Sequence, residues 1–168
     1  MKTKFLLTLL LAILSLGSNA QMVHRHSIGA KMSPSLLSIP QFSYQLGITK
    51  LNRFEFNFGV HRISGNSAEA AHMSLQTTHT FQWVFGMRSG WHWFIGPGMQ
   101  ARYDLGVENV NTGQFGFGVG GQIGLGFDFG VFDIPLTITA DHIQMVDLSN
   151  PLAFPGNRTA VSLRYTIK

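Results

Sequence analysis

Seven histidines are the first residues in this 168-residue chain that could do chemistry. Neutral imidazole is a common metal ligand, so the set invites a metal reading. Its spacing argues otherwise. No pair shows the HxxxH interval that places two ring nitrogens on one face of a helix, and with no cysteine there is no thiolate to complete a zinc site. Gly116, Gly118 and Gly121 match G-x-G-x-x-G, which binds a dinucleotide only where a strand passes into a helix. Here it lies inside a segment of strict period two, where the inward glycines read as positions that make room for bulky neighbours and ease curvature. Nucleophilic hydrolysis would need a Ser/His/acid set. His79 and His142 are the two histidines that raise the question, and no serine and acid are placed beside them. The expectation is therefore a protein that is not an enzyme, with no catalytic, cofactor-binding or metal residues.

The elements that position these residues follow from composition and periodicity. Lys2 and Lys4, an apolar run over 5–16 and the small residues Ser18-Asn19-Ala20 read as a secretory signal peptide over 1–20, with one barrel domain over 21–168. A run of that length is too short for a membrane-crossing helix, which needs about 20 residues. The formal charge of +4 includes Lys2 and Lys4, so the remainder carries a small excess and no Lys/Arg cluster suited to nucleic acid. Without cysteine there are no disulfides and no lipidated N-terminal cysteine.

Charged residues make up 12% of the chain, against about a quarter in a typical soluble domain. Glycine (19) and phenylalanine (14) are abundant instead. A surface facing water wants charge, and one facing lipid does not. No later apolar run is long enough for a transmembrane helix, so a closed barrel is the remaining way to span a bilayer, because an open sheet edge cannot be satisfied in hydrocarbon.

Several segments alternate with period two over long stretches. Phe54, Phe56, Phe58 and Val60 alternate with Glu55, Asn57, Gly59 and His61. Trp91, Trp93, Ile95, Pro97, Met99, Ala101 and Tyr103 alternate with His92, Phe94, Gly96, Gly98, Gln100 and Arg102. Similar patterns around 24–33, 42–49, 73–85, 115–128, 136–141 and 161–167 bring the expected strand number to eight. Links near 34–40, 64–72, 104–113 and 147–157 are longer than the turns at 50–53, 86–90 and 130–133. The expected fold is all-β, an eight-stranded antiparallel up-and-down transmembrane β-barrel without a second domain. Eight strands enclose a lumen just wide enough for side chains. Gly, Ser, Thr and Gln fit inside it, whereas so many aromatics would overfill it. Apolar residues outside, polar residues inside, short turns on one side and longer loops on the other is the outer-membrane pattern.

Three passages carry a family resemblance: the leader ending Ser18-Asn19-Ala20, the segment from Phe132-Asp133-Ile134-Pro135 to Ala140-Asp141, and the final strand Ala160-Val161-Ser162-Leu163-Arg164-Tyr165-Thr166-Ile167. The chain resembles the small eight-stranded outer-membrane β-barrel proteins of Gram-negative bacteria, of the OmpA/OmpX-like kind. Its last strand is similar to the C-terminal signal read by the barrel-assembly machinery, departing from it in ending Ile167-Lys168 rather than on an aromatic residue. The resemblance implies the cell outer membrane as location, lipid and lipopolysaccharide as surroundings, and a structural or surface-interaction role with no open pore. It leaves any surface partner unnamed and makes Asn157-Arg158-Thr159 an accidental glycosylation sequon. Two other classes compete: a soluble periplasmic lipocalin-like ligand-binding barrel, and a lipid-modifying outer-membrane enzyme. An uncharged waist distinguishes the membrane barrel from the lipocalin-like one.

Two residue sets follow from strand parity. Phe56, Phe58, Phe81, Trp93, Ile95, Phe117, Val119, Ile123, Ile138 and Leu163 form the expected lipid-facing belt. Asp141 and Arg164 both point inward, and with Leu136 and Ile167 level they form an expected interior ion pair between the last two strands. The alternatives give Arg164 to Glu55 or Asp128, and Asp141 to Lys31.

Overall fold

Period-two sequences can bury one face only if the sheet closes or stacks, and this sheet closes. The computed structural model describes residues 26–33, 40–64, 71–105, 115–149 and 157–167. Strands β1 (His26–Met32), β2 (Gln41–Gly47), β3 (Asn52–Ser64), β4 (Ala71–Gly86), β5 (Trp91–Asp104), β6 (Phe115–Asp128), β7 (Leu136–Asp147) and β8 (Asn157–Ile167) run in chain order around a closed barrel. Each neighbouring pair is antiparallel, and β1 closes on β8 through seven residue pairs from His26↔Ile167 to Met32↔Val161. Closure leaves no edge to template aggregation. The segment 1–20 and most of the four longer links lie outside the described residues.

The short turns are built from local polar contacts. In the β2–β3 turn, Thr49 Oγ1 accepts hydrogen bonds from the amides of Leu51 (3.2 Å) and Asn52 (3.1 Å). After β6, Asp128 Oδ1 accepts from the Gly130 amide at 2.8 Å and starts a 3-10 turn, Phe129–Phe132, which Asp133 ends in the left-handed region. Gly90 ends the 3-10 turn Arg88–Gly90 at φ 90°, a conformation that favours glycine.

Parity behaves as the alternation predicts. All ten residues of the expected belt lie on the outer wall; Phe58, Ile95, Val119, Ile123, Ile138 and Leu163 are each at least 40% exposed. Among the described side chains, the outward positions of the eight strands carry no Asp, Glu, Lys or Arg. The interior is correspondingly polar, with Ser, Thr, Gln, Asn and charged side chains buried there.

One stretch departs from this polarity. The alternation expected on β7 ends at Asp141, but the strand continues to Asp147. Beyond Asp141 it buries Ile143 and Met145 and exposes His142 and Gln144, so the parity holds while the polarity inverts.

Candidate functional site

The lumen is filled rather than open, and Glu55 on β3 sits at its centre. Its carboxylate is wholly buried and accepts five hydrogen bonds. Oε1 takes Lys31 Nζ at 2.7 Å and Asn57 Nδ2 at 2.8 Å. Oε2 takes Gln45 Nε2 at 2.8 Å, Arg164 Nη2 at 2.9 Å and Gln82 Nε2 at 3.1 Å. Lys31 also lies 2.9 Å from Asp141 Oδ2. Two cations and two carboxylates thus form a charge-balanced quartet in a water-poor interior, where an unpaired charge would be costly.

This arrangement corrects the expected pair. Asp141 contacts Lys31, and Arg164 contacts Glu55; the two do not bond each other. The reason is register. Leu136 lies opposite Tyr165 rather than level with Ile167, so Asp141 faces Ala160 and Arg164 faces Thr137. Four residues of strand separate their levels, about 13 Å at 3.3 Å per residue. Arg164 is instead held across the lumen by Glu55, Ser43 Oγ (2.9 Å) and Thr139 Oγ1 (3.1 Å).

Layers on either side complete the plug. Toward the turn side, the Arg53 guanidinium lies 4.8 Å above the Phe94 ring, and its Nε donates to Gln82 Oε1 at 2.5 Å. Gln82 also donates to Gln122 Oε1 at 2.9 Å. Toward the loop side, Arg158 Nη2 donates to Thr78 Oγ1 (3.1 Å) and Gln100 Oε1 (2.8 Å). A recess beside Arg158, lined by Lys31, Gln41, Asn57 and Ile143, has a volume of about 10 Å³, room for a single water.

The glycines of β6 explain how large side chains fit. A Cβ on Gly124 would meet Phe94 Cζ and lie 2.8 Å from Asp141 Cβ, and one on Gly126 would strike the His92 ring. Gly116, Gly118 and Gly121 lie within this same strand, not between a strand and a helix, so the dinucleotide reading has no structural context.

The histidines are dispersed. His92 is buried in the lumen, while the side chain of His61 and all of His24 lie outside what is described. His26 stacks on Tyr44, whose hydroxyl is 2.7 Å from Nδ1. On the outer wall His79 Nε2 is 3.0 Å from Thr77 Oγ1, and His142 Nδ1 is 3.4 Å from Thr159 Oγ1. Threonines, not a serine and an acid, are thus the hydrogen-bonding neighbours of the two outward histidines. Among the described residues no group of three or more His, Asp or Glu could hold a metal ion.

Strand parity places Glu55 and Gln82 inward without marking Glu55 as the hub, and Arg53, expected in the turn at 50–53, lies inward on β3. The signal was available in part: Glu55 is the only acid on the described inward positions of β1 to β4, where Lys31 also turns to it.

At the turn end, aromatic side chains wrap the outside. Trp91 packs edge-on against Phe127 (5.0 Å between centroids), Phe127 against Phe129 (4.9 Å), and Phe85 stacks on Trp93 (4.3 Å). Phe132, 65% exposed, lies 6.3 Å from Phe127 on the same outer side.

No protein-family model matches the chain, and no curated protein matches it in sequence. Among solved structures, the fold is similar to the crystal structure of Neisserial surface protein A, with a TM-score of 0.58 and 11% identity. The match covers 84% of this chain and 93% of that one. At that identity the likeness speaks for the fold alone, an eight-stranded, up-and-down antiparallel barrel.

Proposed function

We propose that this chain is an integral outer-membrane β-barrel protein with a structural or surface-interaction role and no open pore. The observation that carries the reading is the polarity of the wall: the charged quartet is buried inside, and no charged side chain is described on the outward strand positions. Water would favour the reverse, and only a hydrocarbon surrounding makes this arrangement stable. The likeness to a surface barrel supports the location. The aromatic cluster at the turn end suits the membrane–water interface, where such rings concentrate.

In this reading lipid and lipopolysaccharide surround the wall, and β8 is the strand offered to the barrel-assembly machinery. The longer links form the surface available to a partner, since loops on a rigid scaffold carry recognition. The filled lumen favours a closed barrel over a channel. A lipocalin-like soluble barrel is disfavoured by the same polarity, because such a protein needs an apolar cavity for its ligand. Cell fractionation with carbonate washing tests the location: the protein is expected to stay with outer membranes until detergent is added. Recovery in the soluble periplasmic fraction refutes it.

A further inference from the structure

Between the Glu55 layer and the Arg158 layer lies the recess of about 10 Å³, and three of its lining residues have hydrogen-bonding capacity left over. Asn57 commits its Nδ2 to Glu55 Oε1 at 2.8 Å, which leaves Oδ1, buried and without a hydrogen-bond partner among the described residues. Thr78 Oγ1 accepts from Arg158 Nη2 at 3.1 Å and from Gln76 Nε2 at 3.3 Å. With both lone pairs taken, its hydroxyl proton remains to be donated. Arg158, 8% exposed, donates through Nη2 alone among the described residues, while a guanidinium carries five N–H groups.

An unpaired acceptor and two donors thus border one small polar chamber. Leaving such groups unmade in the interior costs more than an ordinary hydrogen bond gains, so the chamber calls for an occupant that serves both kinds. Size and charge narrow the choice. A volume of about 10 Å³ admits one water-sized molecule. A halide would satisfy Arg158 and Thr78 but press its charge against the Asn57 oxygen, and a cation would face the guanidinium. Water brings donors and acceptors together at that size.

We propose that this recess is a binding site for a single structural water, which accepts from Arg158 and Thr78 and donates to Asn57 Oδ1. Three hydrogen bonds are what a buried water typically makes. The water carries the polar network from Glu55 through Asn57 to Arg158 and on to Gln100, so the central hub and the loop-side layer form one connected plug. A network satisfied throughout is stabilising in a low-dielectric interior, and the same network broken at one joint is costly. The site therefore resists filling. Added methyl groups stabilise a dry apolar cavity, but here they displace the water and leave its partners unpaired. The inference concerns the lumen alone and goes beyond the location and role proposed above.

Ala160 is buried and lines the recess, so its substitution tests the occupant. Ala160→Val and Ala160→Thr add the same bulk and differ by one hydroxyl, which can take over a bond of the displaced water. Full-length protein is refolded in detergent micelles and titrated with urea. Ala160→Val is expected to lower the folding equilibrium about tenfold, the loss expected from one buried polar group left unpaired, and Ala160→Thr by no more than about threefold. In the wild-type protein, water–protein cross-relaxation in the NMR spectrum is expected to show a long-lived water at the methyl groups of Ala160 and Thr78. Ala160→Val protein as stable as Ala160→Thr, or more so, overturns the site, because a dry recess prefers the methyl. Absence of the long-lived water signal overturns it too, and that measurement decides alone where neither variant folds. Exchange of chloride for gluconate at constant ionic strength that destabilises the wild type but not Ala160→Val assigns the recess to an anion and overturns the water.

Discussion

Replacing Glu55 by glutamine tests whether one carboxylate organises the lumen. The side chain keeps its shape, but one of its two acceptor oxygens becomes an NH2 group. In either orientation that group meets donors: Lys31 and Asn57 on one side, or Gln45, Gln82 and Arg164 on the other. The quartet of Lys31, Arg164, Glu55 and Asp141 changes from balanced to one excess positive charge. Because both partners are buried, water cannot compensate, and removing one member of such a pair costs about 3–5 kcal/mol. At about 1.4 kcal/mol per tenfold, that lowers the folding equilibrium roughly 100- to 4,000-fold. The assay is reversible urea titration of the protein folded into lipid vesicles, followed by the fluorescence of Trp83, Trp91 and Trp93. The double variant Glu55→Gln, Lys31→Met restores charge balance and is expected to recover about half of the loss, since replacing a whole buried pair by apolar groups is often near neutral. A loss under about 1 kcal/mol for Glu55→Gln refutes the hub, because a net buried hydrogen bond alone is worth that much. Strictly additive losses in the double variant refute the Lys31 coupling.

Other perturbations probe the wall, the plug and the turns. Val119→Arg puts a charge on the outer wall near mid-strand and is expected to cost about 2–4 kcal/mol of folding into vesicles, while Val119→Leu is near neutral; equal stability of the two would mean the faces are misassigned. Gly124→Ala forces a methyl group against Phe94 and Asp141 and is expected to cost about 1–3 kcal/mol, with part of the loss restored by Phe94→Leu in a double variant. Pure protein in planar bilayers is expected to give no stable large conductance, because Phe94, Gln82 and Arg164 occupy the lumen; steady open-channel currents would contradict the plug. Phe132→Asp is expected to leave the barrel folded but to lower the urea midpoint for unfolding more in lipid than in detergent relative to wild type, and an unchanged lipid dependence would show that Phe132 lies off the interface.

Strand parity was legible in the residues because it depends on nothing beyond the chain's own pleat: Phe54, Phe56 and Phe58 must share one face whatever they pack against, and Glu55 and Asn57 the other. Eight alternating segments with glycine-rich inward positions then admit few closed solutions, and the barrel and its inside-out polarity follow from that count and from the low charge. Register was not legible. It depends on how neighbouring strands slide, which the loops and the lumen packing decide together, and a two-residue offset between β7 and β8 keeps every side chain on its face while moving Arg164 away from Asp141 and across the lumen to Glu55. The same limit hid the partners of Gly124 and Gly126: Phe94 and His92 come from the neighbouring strand at a level only the register sets. Past Asp141 the polarity signal itself reverses, so sequence alternation stopped where β7 did not: Ile143 and Met145 are held inside by continuous pairing of the strand with β6, an energy summed over the ladder that outweighs the preference of His142 and Gln144 for a polar surrounding.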